Sequence, residues 1–173
     1  GACLLGSVNL AQLVRNPFAA EATLDTAQLA RLAATAVRML DNAIEISHFP
    51  LDRQLAEAKA KRRIGLGVTG LADALAMVNL RYGTPEAAAQ AESWAETLRL
   101  AAYRASAALA REKGAFPLFD RDAYLDAEMV RGLPDDLRAE IAAHGIRNAL
   151  LTSIAPTGTI SLLADNVSSG IEP

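Results

Sequence analysis

The sequence predicts a helix-rich α/β fold with its helices outside a small number of strands, and three observations carry that expectation. Aromatic residues are only 5% of the 173 residues while alanine is abundant, a composition that packs helices closely and lacks the large cross-strand pairs of a β-sandwich. Long stretches repeat apolar residues every three or four positions, and short uninterrupted apolar runs stand between them. The resulting order of strand, helix, strand-like piece, helices, strand and helix is that of an α/β protein. These strands are too few to close a sheet.

Residues 3–10 (Cys-Leu-Leu-Gly-Ser-Val-Asn-Leu) are short and apolar and lead to the turn signal Asn16-Pro17, so a buried strand with an irregular exit is expected. Asp25, with Gln28 three residues on, is a helix-capping pattern, after which Leu29, Leu32, Ala36, Leu40 and Ala43 recur at helical spacing. That helix must end before Phe49-Pro50, because proline pushes its predecessor out of the helical region. The run Lys59-Ala60-Lys61-Arg62-Arg63 is expected to form a solvated charged face. Ile64-Gly65-Leu66-Gly67-Val68-Thr69-Gly70 then suggests a strand and a tight turn into a helix through Leu71, Leu75 and Val78, closed by Tyr82-Gly83.

Thr84-Pro85-Glu86 combines a cap, a proline suited to the first helical position and an acid in the first turn. The helix it opens carries Ala91, Trp94, Leu98, Ala102, Ala105 and Leu109 on one stripe and stops at Gly114, after Arg111 and Lys113. Phe116-Pro117-Leu118-Phe119 reads as an apolar loop, and residues 134–144 as a shorter helix with Leu137 and Ile141 inward and Gly145 as its stop. Residues 148–155 look like a second short strand, and Pro156-Thr157-Gly158-Thr159 like a turn opening a helix through Ala164.

Length favours one domain, and no internal repeat or low-complexity linker divides it. The first ten residues carry neither an initiating Met nor a basic start, so residues 1–173 are expected to be a single segment of a longer chain. A net charge of -3 gives no positive field to hold DNA or RNA, and no apolar stretch approaches the roughly 20 residues that span a bilayer. Cys3 has no partner for a disulfide within the chain, and with His48 and His144 it makes too few ligands for a zinc site, so no metal site is expected. A reducing cytoplasm fits this cysteine usage. No nucleophile elbow, His-Glu-x-x-His or Walker lysine is present.

Gly65 to Gly70 matches the spacing of the dinucleotide fingerprint, but four of the five residues before Ile64 are Lys or Arg where that motif needs an apolar strand. An ordinary turn is the better expectation. Thr157-Gly158-Thr159-Ile160-Ser161 follows an apolar run and opens a helix, so its free amides and three hydroxyls would point one way, towards an anion such as phosphate. Plain helix capping explains the same residues equally well. Cys3, taken alone, is expected to be a small buried hydrophobe.

Several stretches together resemble one family, the catalytic subunit of ribonucleotide reductases. They are the opening Gly1-Ala2-Cys3-Leu4-Leu5-Gly6-Ser7-Val8-Asn9-Leu10, Arg62-Arg63-Ile64-Gly65-Leu66-Gly67-Val68, Glu112-Lys113-Gly114-Ala115, Gly145-Ile146-Arg147-Asn148, Pro156-Thr157-Gly158-Thr159-Ile160-Ser161 and Gly170-Ile171-Glu172-Pro173. The wording of the loop from Ala155 to Ser161 is similar to the adenosylcobalamin-dependent class. The resemblance implies that the chain is a helix-rich partial segment of a ten-stranded α/β barrel. It implies reduction of ribonucleotides to 2'-deoxyribonucleotides, begun by a thiyl radical and completed by a thiol pair that becomes a disulfide.

On that resemblance Cys3 is one member of the thiol pair, with its partner outside this chain, and Pro156, Thr157, Gly158, Thr159, Ile160 and Ser161 form the loop for the substrate phosphates. The implied cofactor is adenosylcobalamin. The implied partners are the ribonucleotide, thioredoxin or a similar dithiol, the rest of the same polypeptide, and a second copy in a homodimer. The family's radical-bearing Asn-x-Cys-x-Glu does not occur in the sequence, so the segment is expected to be inactive by itself. The rival expectation is a non-catalytic helical scaffold that docks partners through the stripe of the alanine-rich helix.

Overall fold

The computed structural model describes residues 3–173; Gly1 and Ala2, which open the first of the resembling stretches, lie outside the described residues. β1 (Leu4–Asn9) leaves through a short 3-10 turn, Ala11–Leu13, into a small antiparallel pair of β2 (Val14–Arg15) and β3 (Thr23–Leu24). α1 (Thr26–Ile46) and α2 (Asp52–Lys61) carry the chain back to β4 (Ile64–Thr69), which lies parallel to β1 with Leu4 opposite Ile64 and Asn9 opposite Thr69. α3 (Leu71–Met77), α4 (Pro85–Lys113), α5 (Arg121–Asp126), α6 (Glu128–Arg131), α7 (Asp135–His144) and α8 (Gly158–Leu163) complete it. This is the helix-rich, strand-poor α/β arrangement expected of a partial barrel, and no helix is long and apolar enough to cross a membrane among the described residues.

Local signals set most helix ends. Asp25 accepts a hydrogen bond from the Gln28 amide at 2.9 Å, and Thr84 accepts one from Ala87 at 3.2 Å with Pro85 at the first helical position. Each such cap contributes about 1 kcal/mol. Gly114 ends α4 at φ 84, in the left-handed region that a residue with a Cβ resists. The deepest side chains of α1 are Leu29, Ala33, Val37, Asp41 and Ile44, one position round from the expected stripe, while Leu32, Ala36 and Leu40 pack at its margin. The two stripes adjoin and together make one broad apolar face, which lies against β1 and α4.

The stripe of α4 is spent inside the molecule: Trp94, Leu98, Ala102 and Leu109 are all 5% exposed or less. A docking scaffold built on that stripe has little surface to offer beyond its Ala91–Leu98 end. α2, α5 and α6 leave no helical period in the sequence, because α2 buries only Ala58 and the other two are too short to show one. Phe116 packs edge to face with Phe119 and Tyr124, whose own rings are tilted to each other, at centroid separations of 5.5 to 6.1 Å.

Two expectations fail for tertiary reasons. Residues 148–155 form no regular strand; they run beside β4 with one parallel bridge, Leu66 to Thr152, supported by hydrogen bonds from Ile64 N to Leu150 O, Leu66 N to Leu151 O and Ser153 N to Leu66 O. The segment leans over β4, so that a Cβ at Gly67 would sit 2.3 Å from the Ser153 carbonyl and one at Gly65 2.6 Å from the Ser153 hydroxyl. Both glycines therefore lie inside the strand because a neighbour crosses it, and only Gly70, at φ 70, makes the turn. A dinucleotide loop needs its first glycine at the strand's end.

The second failure is the solvated charge run. Arg62 is 3% exposed and left-handed at φ 48. Its guanidinium donates to the Asp41 carboxylate at 2.9 Å and the Asp41 carbonyl at 3.0 Å, and pairs with Glu45. Arg147 reaches the other Asp41 oxygen at 3.3 Å, and Asn148 donates to Asp41 at 3.1 Å and to the Arg62 carbonyl at 3.0 Å. Ser106 of α4 closes the node by donating to Asn148 at 2.9 Å and accepting from its amide at 3.1 Å. Fully buried Asp41 is thus compensated by two guanidiniums and an amide, as a buried charge requires.

Candidate functional site

Strand alternation divides the β1–β4 pair into two faces. Gly6 faces α1, where its missing Cβ would lie 3.3 Å from Leu40, and Val8, Ile64 and Leu66 are buried with it. Leu5, Ser7 and Asn9 point the other way, and by the register of the pair they share that second face with Gly65, Gly67 and Thr69. Leu5, 51% exposed, lies over Gly65.

Carrying the alternation back one step sets Cys3 on the second face, across from Arg63, whose carbonyl accepts the Leu4 amide at 3.4 Å. Cys3 is exposed and free, not the small buried hydrophobe expected of a lone cysteine. Partial desolvation raises the thiol above its ordinary pKa, and the Arg63 charge offsets some of that rise. The group is therefore a protonated thiol at neutral pH, able to give up both a proton and an electron pair once activated.

At the opposite end of the same face stands the turn of residues 156–161. Thr157 is 6% exposed and holds φ 54. Its hydroxyl lies 3.2 Å from that of Thr69 and accepts the Gly170 amide at 2.6 Å. Ser161 donates to the Gly158 carbonyl at 2.8 Å and contacts the Ser169 hydroxyl at 2.9 Å. The expectation that three hydroxyls point together towards an anion is therefore corrected: two are turned into the fold, and of the three only Thr159 is exposed.

The backbone of the turn remains suited to an anion. The first helical bond of α8 is Ser161 N to Thr157 O at 2.7 Å, which leaves the amides of Gly158, Thr159 and Ile160 ahead of the hydrogen-bonded turn. A Cβ at Gly158 would meet nothing within 4 Å, so the space before these amides is open. Pro156 and Gly158 are exposed and Ile160 is partly covered.

Cys3 and this turn lie on one face of the strand pair, towards opposite ends of β1. Between them are Ser7 and, from the leaning segment, Ser153, each with a buried hydroxyl that lacks a hydrogen-bond partner. Sequence reasoning missed both, as it missed Thr69, Ser168 and Gly170, because their roles arise from contacts 88 to 99 residues apart or from the closure of a 13-residue loop. An open apolar groove of about 880 Å3 runs along β4 and the N-terminal half of α4, lined by Leu66, Gly67, Val68, Trp94, Leu98 and Ser153. Among the described residues no group of three His, Cys, Asp or Glu side chains could hold a metal ion.

Comparison with known proteins agrees along the whole chain. The family model described as ribonucleotide reductase, barrel domain, matches residues 1–173. The chain is 40% identical over 171 residues to a vitamin B12-dependent ribonucleoside-diphosphate reductase of Mycobacterium tuberculosis (strain ATCC 25618 / H37Rv), covering 99% of this chain and 21% of that protein. It is 35% identical to the protein of the same name from Thermoplasma acidophilum, with 99% and 20% covered. It is 34% identical to a ribonucleoside-diphosphate reductase subunit alpha of Chlamydia muridarum, with 99% and 18% covered. The chain thus spans about a fifth of the length of these relatives.

Proposed function

The chain belongs to the ribonucleotide reductase barrel-domain family, and from that premise we propose that it forms the part of a reductase barrel that carries one redox thiol and the seat of the substrate phosphates. The substrate class is the ribonucleoside diphosphate, the substrate in the names of its relatives. The observation that supports the proposal is a shared face: the alternation of β1 carried back to Cys3, and the contact of Thr157 with Thr69, put both on the side that carries Ser7 and Thr69.

The chemistry asks for both. Replacing the 2'-hydroxyl of the ribose by hydrogen releases water and consumes two electrons and two protons. A thiol pair supplies these by closing to a disulfide, which an external dithiol such as thioredoxin then reopens by exchange. Cys3 is one thiol of that pair; the other lies outside this chain. Arg63 favours the thiolate that exchange requires. At the other end the amides of Gly158, Thr159 and Ile160, with the Thr159 hydroxyl, receive the phosphate oxygens and fix the distance from phosphate to thiol.

Adenosylcobalamin would supply the initiating radical in the intact protein. No step here is routed through that group. Exposed Ile154, Leu162 and Leu163 are surface for the rest of the polypeptide or a second copy to cover. A thiol that must cycle through its reduced form suits the cytoplasm.

The test is Cys3→Ser in the full-length polypeptide carrying this segment. With dithiothreitol as reductant the variant should make at most one deoxyribonucleotide per chain, and undiminished multiple turnover refutes the role. Thr159→Val should weaken substrate binding by about 1 to 3 kcal/mol, the range for a hydrogen bond to a charged group.

A further inference from the structure

We infer that Thr69, a buried residue at the end of β4, is a positioning residue for the phosphate turn, acting through a one-way chain of hydroxyl hydrogen bonds. The inference rests on the phosphate reading of residues 156–161. Thr69 is 0% exposed and cannot touch a ligand itself. Its hydroxyl donates to the Ser168 carbonyl at 2.8 Å, and a carbonyl only accepts.

A hydroxyl has a single proton. With that of Thr69 committed to Ser168, the 3.2 Å contact with Thr157 must run from Thr157 to Thr69. The Thr157 oxygen then keeps a lone pair, which accepts the Gly170 amide at 2.6 Å. Both hydroxyl protons are spent, so while the chain of bonds is closed Thr157 has nothing to donate to a phosphate. What it does instead is clamp the base of a loop: Thr157 and Gly170 are its two ends, and Thr69 ties both arms to the sheet.

The backbone confirms that the clamp carries strain. Thr157 is β-branched and sits at φ 54, a conformation such a residue holds only when its surroundings impose it. Gly170 is equally confined, since a Cβ there would lie 2.7 Å from the Ala155 carbonyl. The residue after Thr157 begins the run of amides at Gly158, so the angle of that peptide, and with it the direction of the first amides, is set by the grip on Thr157. The Ser168 side of the same arm is fastened independently to α3, by Gly70 N to Ser168 O at 2.7 Å and by Ser168 N to the Asp73 carboxylate at 2.6 Å. Freeing Thr157 therefore loosens the turn without releasing the whole loop.

The experiment uses the full-length polypeptide with Thr69→Val, Thr69→Ser and Thr157→Val, reading KM and kcat for a ribonucleoside diphosphate and competitive inhibition by inorganic pyrophosphate and by the unphosphorylated nucleoside. Thr69→Val should raise KM and the pyrophosphate inhibition constant about tenfold, leaving kcat and nucleoside inhibition within about twofold. Thr69→Ser should restore both, and Thr69→Val with Thr157→Val together should be no worse than either alone. Unchanged pyrophosphate inhibition, an equal loss for pyrophosphate and nucleoside, or additive single effects overturn the proposal. If Thr69→Val does not fold, Thr157→Val and its rescue by Thr157→Ser decide it by the same inhibition constants. Failure of pyrophosphate to compete with substrate in the unaltered protein would instead overturn the phosphate reading itself, and this inference with it.

Discussion

At the Ile64 end of β4 the chain is anchored by charge: Asp41, buried in α1, holds Arg62, Arg147 and Asn148 around it. At the Thr69 end, five residues away, the strand itself is fastened to the loop through hydroxyls and backbone groups, while the Asp73 carboxylate of α3 holds the far arm through the Ser168 amide. The first anchor joins α1, α4, β4 and the 146–149 segment, so it fixes how helices sit on the sheet. The second joins a loop to the sheet, next to a turn that reads as an anion seat and has no charged residue between Leu150 and Ala164. At the Thr157–Thr69 contact, next to the turn, a charged group would compete with or repel the anion; neutral hydroxyls grip the backbone there and leave the field to the amides.

If that contrast is right, the charged end should be the costlier one to damage. Asp41→Asn leaves Arg62 buried without its carboxylate and should lower stability by about 3 to 5 kcal/mol, measured by urea unfolding of this chain. Replacing the pair together, Asp41→Leu with Arg62→Met, should cost less than Asp41→Asn alone, because the buried guanidinium leaves with its carboxylate while Arg147 keeps the Lys113 and Gly114 carbonyls and Glu45. A double variant worse than the single one would contradict the anchor's description.

Between the two ends, Gly67→Ala must displace the Ser153 backbone and should cost about 1 to 3 kcal/mol, as overpacking does. Gly158→Ala, with open space before it, should change unfolding by less than about 1 kcal/mol.

The smallest effect expected is on Cys3 acidity. Burial raises the thiol's pKa, so at a given pH less thiolate is present than on an ordinary cysteine, and alkylation by iodoacetamide should rise with pH at a higher midpoint than a reference thiol shows. Arg63→Gln removes the opposing positive charge and should move the midpoint further up. A downward shift would show that Arg63 does not face the thiol.

The legible parts of this molecule are those whose causes are local. The Asp25 cap, the Thr84-Pro85 start and the stop at Gly114 each need only neighbours within four residues, and the structure has them where the sequence put them. The burial of Arg62 is not legible locally, because its partner Asp41 lies 21 residues earlier in α1. The 148–155 run has a strand's composition but is pulled across two glycines, which no one-dimensional pattern records. For the site, residue types located the turn and the thiol, while the direction of the hydroxyls depended on Thr69 and residues 168–170. Those bonds invert the expected role of Thr157 from ligand contact to clamp.

The measurement that bears most directly on the shared face is a structure of the full-length polypeptide with a ribonucleoside diphosphate bound. It should show phosphate oxygens within hydrogen-bond distance of the Gly158, Thr159 and Ile160 amides and the ribose on the side of β1 and β4 that carries Cys3, Ser7 and Thr69. A nucleotide seated against the α1 side of the strands, or with its phosphates away from the 156–161 turn, would contradict it.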